Sequence, residues 1–281
     1  MPRKPSSQDV NRDLFLDLLQ KILINDIYTD PPILTARAVR RGASPDYNDD
    51  RRNRGVDWPS VAHSMIGRQR MANLRTCVEA VLRDGIPGDL IETGVWRGGA
   101  CILMRGILRA WQDTTRKVWV ADSFEGLPPP NAQLYPADQG DRHHTMTALA
   151  VSLEQVQSNF RKYNLLDDQV RFLKGWFKDT LPTSEIDRLA VVRLDGDMYE
   201  STMDGFRNLY HKLSPGGYLI VDDYHVVAGC RAAVHDFIAT LDARERPQLL
   251  EVDGTAIYWQ RPGARQAAKG SVRKAAAPAV A

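Results

Sequence analysis

The chain has 281 residues, 43% of them hydrophobic and 26% charged, with a formal net charge of +2. A chain of that length can bury a large core without covalent staples, so one α/β domain with additions is the expected organisation. The charge is uneven: the Ala-rich tail holds Arg265, Lys269, Arg273 and Lys274 and no acid, so removing those four cations from +2 leaves −2 for the body, which argues against a general nucleic-acid surface.

Cys77, Cys101 and Cys230 are scattered, with neither disulfide nor zinc-ligand spacing, which fits a reducing cytoplasm. No apolar stretch approaches the ~20 residues of a bilayer span, and the polar start lacks a signal-peptide core. The expectation is a cytoplasmic protein with no membrane partner.

In chain order, Val10 to Asn25 carries leucines and isoleucines at helical spacing, predicting an amphipathic helix that packs on the core or forms a homodimer contact. Thr29 to Trp58 is rich in Arg, Asp, Pro and Gly without periodicity and is expected to be a lid or a disordered loop. A helical pattern returns from His63 to Leu82. From Pro87, strand patterns (Asp89–Thr93, Lys117–Asp122, Gln169–Lys174, Arg188–Asp195, Gly217–Asp223) alternate with helical ones (Ala100–Trp111, Leu153–Tyr163, Thr202–Leu213, Cys230–Leu241). Gln248–Val252 and Thr255–Gln260 flank Asp253-Gly254 and read as a terminal hairpin. The fold class is thus α/β, a doubly wound and mostly parallel sheet closed by a hairpin. The expected division is an N-terminal helical extension and lid over 1–86, the α/β domain over 87–262, and a disordered basic tail over 263–281.

Two acidic clusters carry most of the functional information. Asp195 and Asp197 follow one buried strand pattern, and Asp222 and Asp223 follow the next, after a turn expected at Ser214-Pro-Gly-Gly217. Parallel strands share their carboxyl edge, where open α/β sheets bind ligands, so the clusters should converge. Converging carboxylates need a cation among them, and Mg²⁺ prefers such oxygen ligands. At the end of the first strand pattern, Gly94, Gly98 and Gly99 make a tight turn into a helix, and Asp122 ends the second strand, placed for ribose hydroxyls or to cap its own turn through Ser123. Trp96 stands where a dinucleotide fingerprint has its second glycine and would obstruct a pyrophosphate. That disfavours NAD and suits S-adenosylmethionine, an adenosine without phosphates. Glu92 could receive the amino-acid tail or order the turn.

The stretches Glu92-Thr-Gly-Val-Trp-Arg-Gly-Gly99, Val120-Ala-Asp-Ser-Phe-Glu-Gly126, Gly175-Trp-Phe-Lys-Asp-Thr180, Arg193-Leu-Asp-Gly-Asp-Met-Tyr199 and Val221-Asp-Asp-Tyr224 resemble the macrocin O-methyltransferase family, and the resemblance runs from about Leu14 to Arg261. It implies a class I methyltransferase fold, S-adenosylmethionine, Mg²⁺ and a small-molecule glycoside acceptor: a deoxysugar hydroxyl on a natural product, such as a macrolide or an aminocoumarin noviose, in antibiotic biosynthesis. The resemblance implies Asp195, Asp222 and Asp223 as metal ligands. It makes Asp197 the general base without separating it cleanly from Asp195. Glu92, Thr93, Gly94, Val95, Trp96, Arg97, Gly98, Asp122 and Ser123 match its cofactor motifs; Gly175, Trp176 and Phe177 would lie beside the adenine, and Met65 and Ile66 would close over the cofactor. The Pro128–Met146 loop, with His143 and His144, is a natural lid whose histidines read as ordinary loop residues, whereas His225 follows the Asp-Asp pair closely enough to face the site. A catechol-type O-methyltransferase and a non-catalytic cofactor-binding protein are the competing readings. No lysine closely follows Asp195, which weighs against the first, and the intact aspartate set weighs against the second.

Overall fold

The computed structural model describes residues 6–34, 39–40, 42 and 44–263. The expected disordered tail lies outside the described residues apart from Gly263, as do positions 35–38, 41 and 43 of the expected lid. Helix α1 (Ser7–Leu23) begins where Ser6 and Asp9 form a reciprocal capping box, three residues before the leucine pattern starts. A short helix, α2 (Asp49–Arg54), lies in the stretch read as aperiodic. The Asn48 side chain caps its start, and Gly55 ends it in the left-handed conformation that glycine adopts without steric cost. Helix α3 (Arg68–Arg83) starts later than the pattern from His63 suggests, because residues 62–67 run as a non-helical segment across the sheet edge.

The sheet strands are β1 (Asp89–Thr93), β2 (Val118–Asp122), β3 (Val170–Lys174), β4 (Leu189–Leu194), β5 (Leu213–Val221), β6 (Leu250–Glu251) and β7 (Ile257–Gln260). Their order is β3-β2-β1-β4-β5-β7-β6, with β1 to β5 parallel and β7 and β6 antiparallel. The chain order reverses between β1 and β4, the position where such sheets open a crevice at their carboxyl edge. Register brings the ends level, since Thr93 pairs with Leu194 and Leu194 with Val221. The ladder continues one step further, with the Asp195 amide donating to Thr93 O and the Asp222 amide to Leu194 O, both at 2.9 Å.

Helices α4 (Gly99–Ala110) and α5 (Leu153–Lys162) pack with α1 and α3 on one face of the sheet, in a single apolar cluster that joins Leu16, Leu19 and Leu23 to Leu90 and Val118. The four-residue α6 (Phe177–Thr180) follows β3, and α7 (Tyr199–Leu209) and α8 (Ala228–Thr240) cover the other face. There Phe206 stacks on Phe237 with centroids 4.3 Å apart and lies against buried Trp259.

Three sequence expectations are corrected. Ser214-Pro-Gly-Gly217 is part of β5 and not a turn before it: the strand begins at Leu213, and a register shift opposite Leu189 and Val191 absorbs the residues that fit a regular ladder poorly. The preceding helix starts at Tyr199, not Thr202, and ends at Leu209, after which Tyr210–Lys212 forms a tight 3-10 turn. The hairpin is shorter than its pattern, because the Asp253 carboxylate accepts the amides of Thr255 and Ala256 and widens the turn.

Phe206→Ala should cost about 3–5 kcal/mol in urea unfolding, as for a fully buried stacked aromatic, whereas Leu134→Ala on the exposed loop should stay within about 0.5 kcal/mol. His63, whose Nδ1 lies 2.6 Å from the Tyr163 hydroxyl, is pushed down to about 4 by burial and by the charges of Lys162 and Arg97. Its folded pKa is below the unfolded value, so the unfolded chain binds the extra proton between the two. Stability should therefore fall by up to about 3 kcal/mol as pH drops from about 6.5 to 4, and His63→Gln should remove that component in unfolding curves measured against pH.

Candidate active site

The β1 turn is built by close approach. Gly94 (φ 83°) lies against the Asp195 carbonyl, with which any Cβ would collide, so only glycine lets the two loop origins meet. Asp122 accepts the Val95 amide at 2.7 Å and the Phe124 amide at 2.8 Å, one on each oxygen, so this carboxylate fastens the first two loops together. Ser123 Oγ donates to Gly126 O at 2.6 Å. Trp96 Nε1 donates to Ala148 O at 2.9 Å, and the Arg97 guanidinium stacks 4.2 Å over the Trp96 ring while donating to Pro59 O and Ala62 O.

Behind that turn lies a buried charge network centred on Arg193 of β4. Its Nη1 pairs with Glu92 and, at 2.7 Å, with Asp195, and its Nη2 pairs with Asp222. The other Asp222 oxygen pairs with Arg70 of α3, whose Nε lies 3.2 Å from Asp253. Burial alone would push Asp222 up, but the charges of Arg193 and Arg70 outweigh it and hold the carboxyl below its ordinary range. Burial pushes Glu92 up to about 7 despite its partner, and Cys101 Sγ donates to its other oxygen at 2.9 Å.

The remaining carboxylates are less fully compensated. Burial raises Asp195, and burial together with the charges of Asp197, Asp195 and Asp222 raises Asp223 well above its usual value. Asp197, in the left-handed region at φ 57°, is raised to about 7 by burial, with His143 opposing and Asp195 reinforcing the shift. The Asp197 amide donates to Asp223 at 3.2 Å, which ties the two clusters together. Around this crevice Glu92, Asp195, Asp197, Asp222, Asp223 and Asp253 face two guanidiniums, Arg70 and Arg193. Asp195, Asp222 and Asp223 each offer an oxygen, all within 4.8 Å of one another. An all-oxygen donor set carrying surplus buried negative charge fits a hard divalent cation.

One cavity of about 460 Å³ runs along the edge. Among its walls are Met65, Gly94, Trp96, Asp122, Ser123, Gly175, Trp176, Phe177, Asp195, Asp197, Asp222 and Asp223, so most of the sequence-derived site meets in one place. Ile66, Glu92, Thr93, Val95, Arg97 and Gly98 stand outside the cavity wall. The histidines separate. His143 lines the cavity, with Nδ1 2.7 Å from Asp141 and Nε2 3.8 Å from Asp197. His144 is exposed, and His225 turns away to Glu251 at 2.7 Å.

The sequence reading missed Asp138, which is buried and accepts the amides of Tyr199 and Glu200 at 2.6 and 3.0 Å, pinning the 128–146 loop to the start of α7. It also assigned no role to Arg70 or Arg193. An arginine inside a six-residue strand buried throughout was the available signal for Arg193; nothing local marks Arg70.

The family model for macrocin O-methyltransferase (TylF) matches residues 12–261. The 8-demethyl-8-(2,3-dimethoxy-alpha-L-rhamnosyl)-tetracenomycin-C 4'-O-methyltransferase of Streptomyces olivaceus is 56% identical, covering 90% of this chain and 94% of that protein. The demethyldecarbamoylnovobiocin O-methyltransferase of Streptomyces niveus is 51% identical over 92% of this chain and 98% of its own length. Among solved structures, the O-methyltransferase NovP superposes with a TM-score of 0.83 at 51% identity, covering 90% of this chain and all of that one. The calicheamicin methyltransferase CalS11, at 17% identity and a TM-score of 0.54 over 92% of this chain and 94% of its own, shares the fold. With the match extending from α1 to the last strand, the chain is an O-methyltransferase and belongs to the macrocin O-methyltransferase family.

Proposed function

We propose that this enzyme methylates a sugar hydroxyl of a glycosylated natural product in antibiotic biosynthesis, using S-adenosylmethionine and a divalent cation, Mg²⁺, held by Asp195, Asp222 and Asp223. The observation that carries this reading is the opening of both aspartate clusters and the β1 glycine turn into one cavity. The names of the relatives, which act on rhamnosyl-tetracenomycin and on demethyldecarbamoylnovobiocin, support the acceptor class.

When bound, the cation would supply Lewis acidity to a sugar hydroxyl, and S-adenosylmethionine would supply the methyl group. The chain does the rest. The glycine turn allows close approach of backbone at the cofactor end, and Asp122, on the same wall, stands near enough to receive ribose hydroxyls through its remaining lone pairs. Asp197 is the proton acceptor. It differs from Asp195 in having no guanidinium partner among the described residues, and it lines the cavity beside the three proposed ligands. Asp141 orients His143, which directs Nε2 toward Asp197 and steadies the base. Trp58, Leu127, Pro128 and Leu149 wall the cavity with apolar surface and limit water at the reacting atoms. Fixing two bound reactants in line is worth a large part of the acceleration, as effective molarities near 10⁵ M or more indicate.

The division into a helical cover over 1–86 and a catalytic domain over 87–262 fits this arrangement, with Trp58 and Met65 of the cover lining the cavity. The exposed apolar face of α1, formed by Leu14, Phe15 and Leu18, supports a homodimer. No helix of the described residues is long and apolar enough to cross a membrane.

Methyl transfer to a panel of desmethyl glycosides, followed by mass, should stop in EDTA and return with Mg²⁺; full activity without metal would defeat the metal assignment. Asp197→Asn should lower kcat by roughly 10²–10⁴-fold while S-adenosylhomocysteine still binds by calorimetry. Undiminished turnover would remove Asp197 from the role of base.

A further inference from the structure

Arg70 reaches three places at once. Its Nη1 pairs with Asp222, its Nε lies 3.2 Å from Asp253, and its Nη2 donates to Gly55 O at 2.9 Å and to Arg54 O at 3.3 Å. Arg54 and Gly55 are the C-terminal end of α2, in the segment 48–67 that supplies Trp58 and Met65 to the cavity wall. A second buried arginine, Arg52, holds that segment to itself, pairing with Asp57 and donating to Met65 O and Ile66 O. The segment is thus a stiff unit, tied to the carboxylate crevice through Arg70 and to the β1 turn through Arg97. Two glycines make the Arg70 tie possible. Gly55 and Gly67 bring the ends of α2 and α3 backbone to backbone, and a Cβ on Gly55 would collide with the Arg70 guanidinium and the Gly67 amide.

We propose that Arg70 is a positioning residue that couples the cover segment 48–67 to the metal carboxylates, so that a disturbance of the cover weakens cation binding at Asp222. This inference rests on the metal assignment above. The physical argument is one of shared geometry. The guanidinium is a planar fork, so a shift of the carbonyls at residues 54 and 55 moves the nitrogen that orients Asp222. Residues that orient ligands in this way typically change metal affinity by 10–100-fold when removed. Lysine keeps the charge but not the fork, so it cannot serve the carboxylate and both carbonyls together.

The test is a double-mutant cycle on the full chain, with Mg²⁺ alone titrated calorimetrically and amide exchange followed across 48–67. Arg70→Lys should weaken Mg²⁺ binding roughly 10-fold or more and speed exchange in the segment. Gly55→Ala, which leaves every carboxylate in place, should also weaken Mg²⁺ binding, and combining the two should add little beyond Arg70→Lys alone. Asn48→Ala, which loosens α2 from its exposed cap, provides a milder cover variant should Gly55→Ala fail to fold. Faster exchange with unchanged Mg²⁺ affinity in the cover variants, or additive losses in the double variant, would overturn the coupling while leaving the metal assignment intact. Absence of Mg²⁺ binding by the wild type would overturn both.

Discussion

The burial of two arginines among six carboxylates is the constraint on which the rest of this structure depends. Arg193 sits in the middle of the sheet, on the central strand β4, where an unpaired cation would be prohibitive. It persists because Glu92, Asp195 and Asp222 surround it. Breaking a buried pair by removing one partner typically costs about 3–5 kcal/mol, since the survivor stays charged and dry. Each of these carboxylates belongs to a different strand end, so the network also fixes how β1, β4 and β5 finish relative to one another.

Function follows from the imbalance in that network. The guanidiniums satisfy Asp222 and partly satisfy Asp195, and leave Asp197 and Asp223 raised toward protonation. The fold tolerates this destabilising excess at the cavity edge, which is where the proposed cation site and proton acceptor lie. The segment 48–67 is tied to this centre through Arg70 and to the β1 turn through Arg97, and Asp138 pins the 128–146 loop to the start of α7.

Much of the architecture was legible in the residues. The strand ends at Thr93, Asp122 and Lys174 agree with the structure, as does the convergence of Asp195, Asp197, Asp222 and Asp223 on one cavity. Parallel β-strands have simple signatures, because each is a short apolar run with its polar residues at the end. The reading did less well where local composition competes with pairing. Ser-Pro-Gly-Gly reads as a turn, yet the pairing of Leu213 with Leu189 before it and of Tyr218 with Val191 and Gln260 after it keeps it within β5.

The sequence by itself determined the order of elements, the doubly wound sheet, the glycine turn and the aspartates at the strand ends, because all of these depend on neighbours in the chain. Tertiary structure decided which side chains share charge. Arg70 meets Asp222 across 152 residues, and His143 meets Asp197 while His225, only two residues beyond Asp223, turns outward to Glu251. Pairings of that kind depend on where loops return over the sheet edge and on which buried charges would otherwise stand uncompensated, and neither is written in local pattern.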